Sequence, residues 1–215
     1  MLENNIANMI AELAIIAVPI LAAVTFHELA HGWVAYRLGD PTAKMLGRLT
    51  LNPFAHLDPF GTLAFVITRA IGWAKPVPVD PRYLRNPHRD MIWVSLAGPI
   101  ANLILAAVFA LSLGLLLRSG VPLPGMFAAP VLLMLQAGVT INVGLAVFNL
   151  IPVPPLDGSK ILQGVLPLRQ AIAFSRLEPY GMIVLLVLIM SGAVGRIVMP
   201  PIHTLVNLFM MLAIS

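Results

Sequence analysis

The sequence predicts an all-α polytopic membrane protein: about five transmembrane helices, with a re-entrant or short β element between the first two long ones. Three observations carry this. Of the 215 residues, 59% are hydrophobic and 10% are charged, where an ordinary soluble domain is about a quarter charged. Apolar runs long enough to cross a bilayer recur along the chain. The basic residues punctuate the loops between those runs instead of gathering into a patch, as topology determinants do. A formal charge of +4 distributed in this way excludes a nucleic-acid-binding surface and leaves membrane lipid as the expected surrounding. The chain is too short for a membrane part plus a large soluble domain. It reads as one integral-membrane domain over 1–215, with a core of about 6–178 and C-terminal helices over 180–215. No cysteine is present, which excludes disulfides, thiolate metal ligands and a cysteine nucleophile. Met1 to Asn5 lacks a basic n-region, so no cleavable signal peptide is expected.

The elements follow in order. Ile6 to Leu38 forms the first helix, longer than one membrane thickness, kinked at Pro19 and ended by Gly39-Asp40-Pro41. Arg48 to Leu51 alternates polar and apolar residues, the pattern of a short strand. Phe60 to Trp73 is apolar but brief and interrupted, which suits a re-entrant element. Lys75 to Asp90 is proline-rich and basic, hence a solvent-exposed loop. Met91 to Leu117 spans, Gly120 to Gly125 turns, and Pro130 to Leu150 spans again. Ile151 to Gly158 breaks the helix with prolines. Ser159 to Glu178 reads as an amphipathic surface segment. Tyr180 to Met199 spans once more, Pro200-Pro201 interrupts it, and an apolar tail follows.

The chemistry is concentrated at His27-Glu28-Leu29-Ala30-His31, within the first helix. Residues four apart share a helix face, so the two imidazoles can reach one metal ion together. Glu28 is placed to address a water on that ion. Two imidazole ligands and a carboxylate base are the working parts of a zinc peptidase. Three ionisable groups directly after the apolar run Leu13 to Val24 are expensive in a bilayer unless something uses them.

Two histidines and a water leave such a zinc site one protein ligand short. Asp157 fits the vacancy, because it follows a span in a proline-held stretch, although Asp-Gly is also a common turn pair. Topology tests the choice. One span leads out from the loop at Lys75 to Asp90 and one returns to Asp157, so those two share a side. The loop after Leu38 joins them only if Phe60 to Trp73 dips in and comes back. Lys44, Arg48, Lys75, Arg82, Arg85, Arg89, Lys160, Arg169 and Arg176 then fall on one side, which the positive-inside bias makes cytoplasmic. The opposite turn carries only Arg118.

With these residues assembled, the chain resembles the site-2 protease family of intramembrane zinc metalloproteases. The shared marks are His27-Glu28-x-x-His31, Ala97-Gly98-Pro99-Ile100-Ala101-Asn102 and the stretch from Asn149 to Gly158. The stretches Gly47 to Pro53 and Gly72 to Val79 are similar to the short prokaryotic members without PDZ or CBS domains. The resemblance implies one zinc ion on His27, His31 and Asp157, with Glu28 catalytic. It also implies cleavage of transmembrane-helix protein substrates near the cytoplasmic face of a prokaryotic inner or plasma membrane. A helical substrate hides its peptide bonds and has to unwind. A strand at Arg48, Leu49, Thr50 and Leu51 could pair with it by edge addition.

Asn102 and Asn149 are amides within apolar helices. They either bond helix to helix or hold substrate backbone or a metal ligand. His56 reads as a loop histidine without a direct role. Two other classes compete. A transporter would spread its polar residues through several spans and show internal repeats; here they cluster at one depth. An inactive homologue that binds membrane helices would lack part of the His-Glu-His-Asp set, which is intact. The residues leave oligomeric state and substrate identity open.

Overall fold

The computed structural model describes residues 2–68, 72–120 and 125–214. Nine α-helices are described: α1 (Leu2–Leu38), α2 (Thr42–Met45), α3 (Pro59–Thr68), α4 (Pro87–Ser119), α5 (Gly125–Asn149), α6 (Asp157–Val165), α7 (Leu168–Ser175), α8 (Gly181–Met190) and α9 (Ala193–Ile214). Five stretches are long and apolar enough to cross a membrane: 12–38, 87–119, 127–149, 168–190 and 193–213. The all-α polytopic expectation therefore holds.

The three longest helices form the scaffold. α1, at 37 residues, runs about 55 Å at 1.5 Å per residue, well beyond a hydrocarbon core of about 30 Å. It passes Pro19 without interruption, and the ring of that proline is fully buried. α4 and α5 pack on each other and on α1, and α9 packs on the other side of α4 and α5. The core between α4, α5 and α9 uses Ala106, Ala110, Val139, Val143 and Ala213. Small residues at these crossings let backbones approach closely, which is how helices hold together where lipid is as apolar as the side chains. On their lipid-facing sides the same helices expose residues such as Ile104, Leu111, Leu115 and Leu133, as expected in a hydrocarbon solvent.

Between α1 and α4 the chain makes a short excursion. α3 leads away, and the chain returns beside it. A Cβ built on Gly61 would lie 2.1 Å from the carbonyl oxygen of Trp73. Leu57 and Ala74 then pair as an isolated antiparallel bridge, and Lys75 N–H donates to the His56 carbonyl at 2.9 Å. The excursion thus begins and ends side by side; residues 69–71 of the stretch expected to be re-entrant, Phe60 to Trp73, lie outside the described residues. The short strand expected over Arg48 to Leu51 does not form, and no strand is present among the described residues. That segment has no partner strand beside it. The Thr50 carbonyl instead accepts from His56 Nε2 at 2.9 Å.

Two further boundaries differ from the sequence reading. The break near the C-terminus falls at Ser191-Gly192, where Gly192 takes a φ of 75°, and not at Pro200-Pro201, which lie inside α9. A glycine in the left-handed region ends a helix at no steric cost, whereas α9 runs on through both prolines, which are exposed on its surface. The fourth apolar stretch is also segmented: α7, a single 3-10 turn over Glu178–Tyr180, and α8. Part of the expected turn at Gly120 to Gly125 lies outside the described residues.

Candidate metal centre

His27 and His31 lie four residues apart on α1 and turn their rings to α4. Their outer nitrogens are both held by acceptors. His27 Nδ1 donates to Asn102 Oδ1 at 2.6 Å, and His31 Nδ1 donates to the carbonyl of Val94 at 2.7 Å. A carbonyl oxygen can only accept, so each Nδ1 carries a hydrogen and each neutral ring presents its Nε2 lone pair inward.

Asp157 arrives from the other end of the chain. α5 stops at Asn149, a proline-rich turn over 150–156 reverses the chain, and Asp157 opens α6. Asp157 is therefore the first helical residue, not part of the irregular stretch in which its sequence placed it. The return is tight. A Cβ on Gly158 would lie 2.3 Å from the carbonyl oxygen of Leu150, so only glycine lets α6 start there. Asp157 Oδ2 then sits 3.2 Å from His27 Nε2 and 3.3 Å from His31 Nε2, and the two Nε2 atoms are 2.9 Å apart.

This triangle tests whether a cation fits. Two nitrogen lone pairs and a carboxylate oxygen converge with no hydrogen assigned between the rings and the acid. Asp157 Oδ2 is buried without a hydrogen-bond partner, an expensive state for an anion. Tetrahedral ligation at bonds of 2.0–2.1 Å separates neighbouring ligand atoms by about 3.3 Å, close to the observed edges. His27, His31 and Asp157 form the one group of three or more such side chains found among the described residues with this convergence. The donor set of two imidazoles and a carboxylate, with one side left open, is that of a catalytic rather than a structural zinc site.

The floor of the site is Gly98. A Cβ there would lie 2.4 Å from His31 Nε2 and 2.6 Å from His27 Cε1. The Ala97-Gly98-Pro99 stretch thus supplies the gap in α4 into which both imidazoles fit.

Glu28 lies at the open side and lines a cavity of about 140 Å³ together with His27, His31, Asn149, Asp157 and Lys160. Its Oε2 accepts from Val77 N–H at 2.7 Å. Val77 belongs to an extended strap that covers the cavity with Pro76 and Val79. The strap is fastened on either side of Val77. Arg48 donates to the Lys75 carbonyl at 2.8 Å, and Asp80 N–H donates to Asp40 Oδ2 at 2.7 Å.

The residues proposed from sequence to meet a substrate fall into different places. Asn102 is fully buried. Besides holding His27 it donates to the Ala23 carbonyl at 3.0 Å and to Asn142 Oδ1 at 2.9 Å. Its hydrogen-bonding groups are spent behind the imidazole, so substrate contact is corrected to support of His27. Asn149 lines the cavity and donates to the Leu145 carbonyl at 2.9 Å. Arg48 serves the strap. Leu49 packs on the α1 backbone at Gly32, the Thr50 carbonyl is taken by His56, and Leu51 is exposed. The structure brings none of Arg48 to Leu51 into the cavity lining. Sequence reasoning passed over Asn142 and Val77. An amide in the middle of a span was a visible signal for Asn142; Val77 acts through its backbone and leaves none.

The comparisons with known proteins agree with this geometry. The sequence profile of "Peptidase family M50" matches residues 15–131 and 124–192. The candidate zinc metalloprotease YwhC of Bacillus subtilis is 39% identical over 185 residues, which cover 86% of this chain and 84% of that protein. The candidate zinc metalloprotease Rip2 of Mycolicibacterium smegmatis is 32% identical over 82% of this chain and 66% of its own length. Rip2 of Mycobacterium tuberculosis is 29% identical over 80% of this chain and 64% of its own length. No solved structure matches significantly. The profile runs from α1 through α4 and α5 to Asp157 and beyond, across every residue of the converging triangle: the chain belongs to peptidase family M50, the site-2 protease family.

Proposed function

We propose that this protein is an intramembrane zinc endopeptidase that hydrolyses peptide bonds within or next to transmembrane segments of membrane-protein substrates. One ion would be held by His27, His31 and Asp157, with Glu28 as the general base. The observation that carries this reading is the convergence of three unshared acceptor atoms at 2.9–3.3 Å, two from a helix of membrane-spanning length and one from the short helix that follows another. Family membership and relatives named as zinc metalloproteases support the same ion and reaction.

When bound, zinc supplies Lewis acidity to the nucleophilic water and to the scissile carbonyl. His27 and His31 would contribute neutral ligands and Asp157 a negative one, a set that would leave a divalent ion with net positive charge. Glu28 removes the water's proton and returns it to the leaving amide nitrogen. Its second carboxylate oxygen stays fixed by Val77 N–H while the first works.

A cavity of about 140 Å³ is well below the 300 Å³ or more of an ordinary ligand pocket. A cavity of this size fits an extended, unwound substrate backbone better than an intact helix about 10 Å across. The site lies at the end of the bundle that carries the loop over 75–86 and α6. The concentration of Lys and Arg there supports a cytoplasmic orientation, and bacterial relatives support the plasma membrane as its location.

The decisive experiment assays metal content and cleavage of a membrane-protein substrate together. Glu28→Gln is expected to retain stoichiometric zinc and to lose roughly 10²–10⁴-fold in turnover. Undiminished turnover would remove Glu28 from the chemistry and with it this mechanism.

A further inference from the structure

We propose that Asn142, acting through Asn102, is a positioning residue for the metal ligand His27; the inference rests on the metallopeptidase reading above. The relay crosses three helices. Asn142 on α5 accepts at its Oδ1 from Asn102 Nδ2 at 2.9 Å, and Asn102 on α4 accepts at its Oδ1 from His27 Nδ1 at 2.6 Å. Both amides are fully buried, at 0% exposure.

The direction of each amide is decided by a backbone carbonyl. Asn142 Nδ2 donates to the Gly138 carbonyl at 2.8 Å, so its oxygen must point the other way, at Asn102. Asn102 Nδ2 spends one hydrogen on the Ala23 carbonyl at 3.0 Å and the other on Asn142. Flipping either amide would set oxygen against oxygen in a site from which water is excluded, which is costly. With both donors of Asn102 committed, its oxygen has one place to face, and His27 has to carry its hydrogen on Nδ1. The Nε2 lone pair is thereby kept pointed at His31 and Asp157.

The two imidazoles are held by different means. His31 leans on the backbone carbonyl of Val94, which no side-chain substitution removes. His27 leans on a side chain that is itself held by a second side chain. The relay therefore tunes one ligand only and ties its aim to the packing of α4 on α5. A partner on the outer nitrogen of a ligating histidine fixes its orientation, and losing it typically weakens metal affinity about 10–100-fold.

The test uses the full chain purified in detergent. Zinc affinity is measured by competition with a chelator, the visible absorption of the cobalt-substituted protein reports ligand geometry, and thermal unfolding reports the fold. Asn102→Ala is expected to weaken zinc by roughly 10–100-fold and Asn142→Ala by about tenfold, both with an altered cobalt spectrum. Because Asn142 acts through Asn102, the double variant should bind zinc no more weakly than Asn102→Ala alone, whereas independent roles would multiply the losses. Should Asn142→Ala not fold, Asn142→Ser carries the test. Its hydroxyl can bond back to the Gly138 carbonyl but is too short to reach Asn102, so it should fold and still show the weakened affinity. A metal-binding wild type whose folded Asn142 variants match it in affinity and spectrum, or show multiplicative losses with Asn102→Ala, overturns the relay and leaves the metallopeptidase reading standing. A wild type that binds no zinc overturns both.

Discussion

At the scale of single residues, the site depends on a missing side chain as much as on those present. His27 and His31 both pack against Gly98, and the nearest imidazole atoms are 2.4 and 2.6 Å from where a Cβ would be. Real Cβ atoms do not come that close, so one methyl group at this position must push the rings apart. Gly98→Ala is therefore expected to weaken zinc affinity at least about tenfold, with a stability loss of about 1–3 kcal/mol from overpacking. Chelator competition and thermal unfolding on the same sample separate the two. An alanine variant with native zinc affinity would mean that the rings sit elsewhere. The motif around Gly98 was legible as a mark of family resemblance; its physical purpose was not, because the sequence does not say which faces of α1 and α4 meet.

At the scale of elements, the strap over 75–80 is the part whose role the residues concealed. Its prolines read correctly as a solvent-exposed loop, yet Val77 is only 8% exposed and its backbone reaches Glu28. Pro76 and Pro78 offer no N–H groups, so Val77 has the amide available for that carboxylate. The strap's far end depends on Asp40, which is fully buried at the end of α1 and accepts from Thr42 N–H, Thr42 Oγ1 and Asp80 N–H. Removing it strands those donors, at a cost of about 1–3 kcal/mol. Asp40→Ala is expected to lower thermal stability by that amount and to speed limited proteolysis between 75 and 86, with the metal ligands undisturbed. Equal proteolysis of variant and wild type would show that Asp40 does not tether the strap. The failed strand at Arg48 to Leu51 belongs to this scale too. Alternation describes one edge, and a strand exists only where a second edge pairs with it.

At the scale of the whole molecule, the site is made by topology. Two helices of spanning length between the strap and Asp157, with the short excursion through α3 before them, bring the ends of α1, α4 and α5 together. Because the chain has no cysteine, single cysteines report that topology cleanly. With the proposed orientation, Arg85→Cys should react with an impermeant thiol reagent only from the cytoplasmic side, in inverted vesicles. Gly125→Cys should react only from the opposite side, in intact cells. Labelling of both from the same side would overturn the arrangement of α4.

What the sequence determined by itself was local or periodic. Hydrophobic runs of membrane length specify spans because a bilayer demands internal backbone bonding. A four-residue spacing places His27 and His31 on one helix face because 3.6 residues make a turn. Prolines and Asp157 after a span mark a helix end near that depth. Only the tertiary structure decided which groups stand behind and in front of the imidazoles: Asn102 and Asn142 as support, Gly98 as floor, Val77 as the partner of Glu28. These are contacts between residues 40 to 79 positions apart. Their geometry follows from how helices pack against one another, and no pattern along a single helix encodes that.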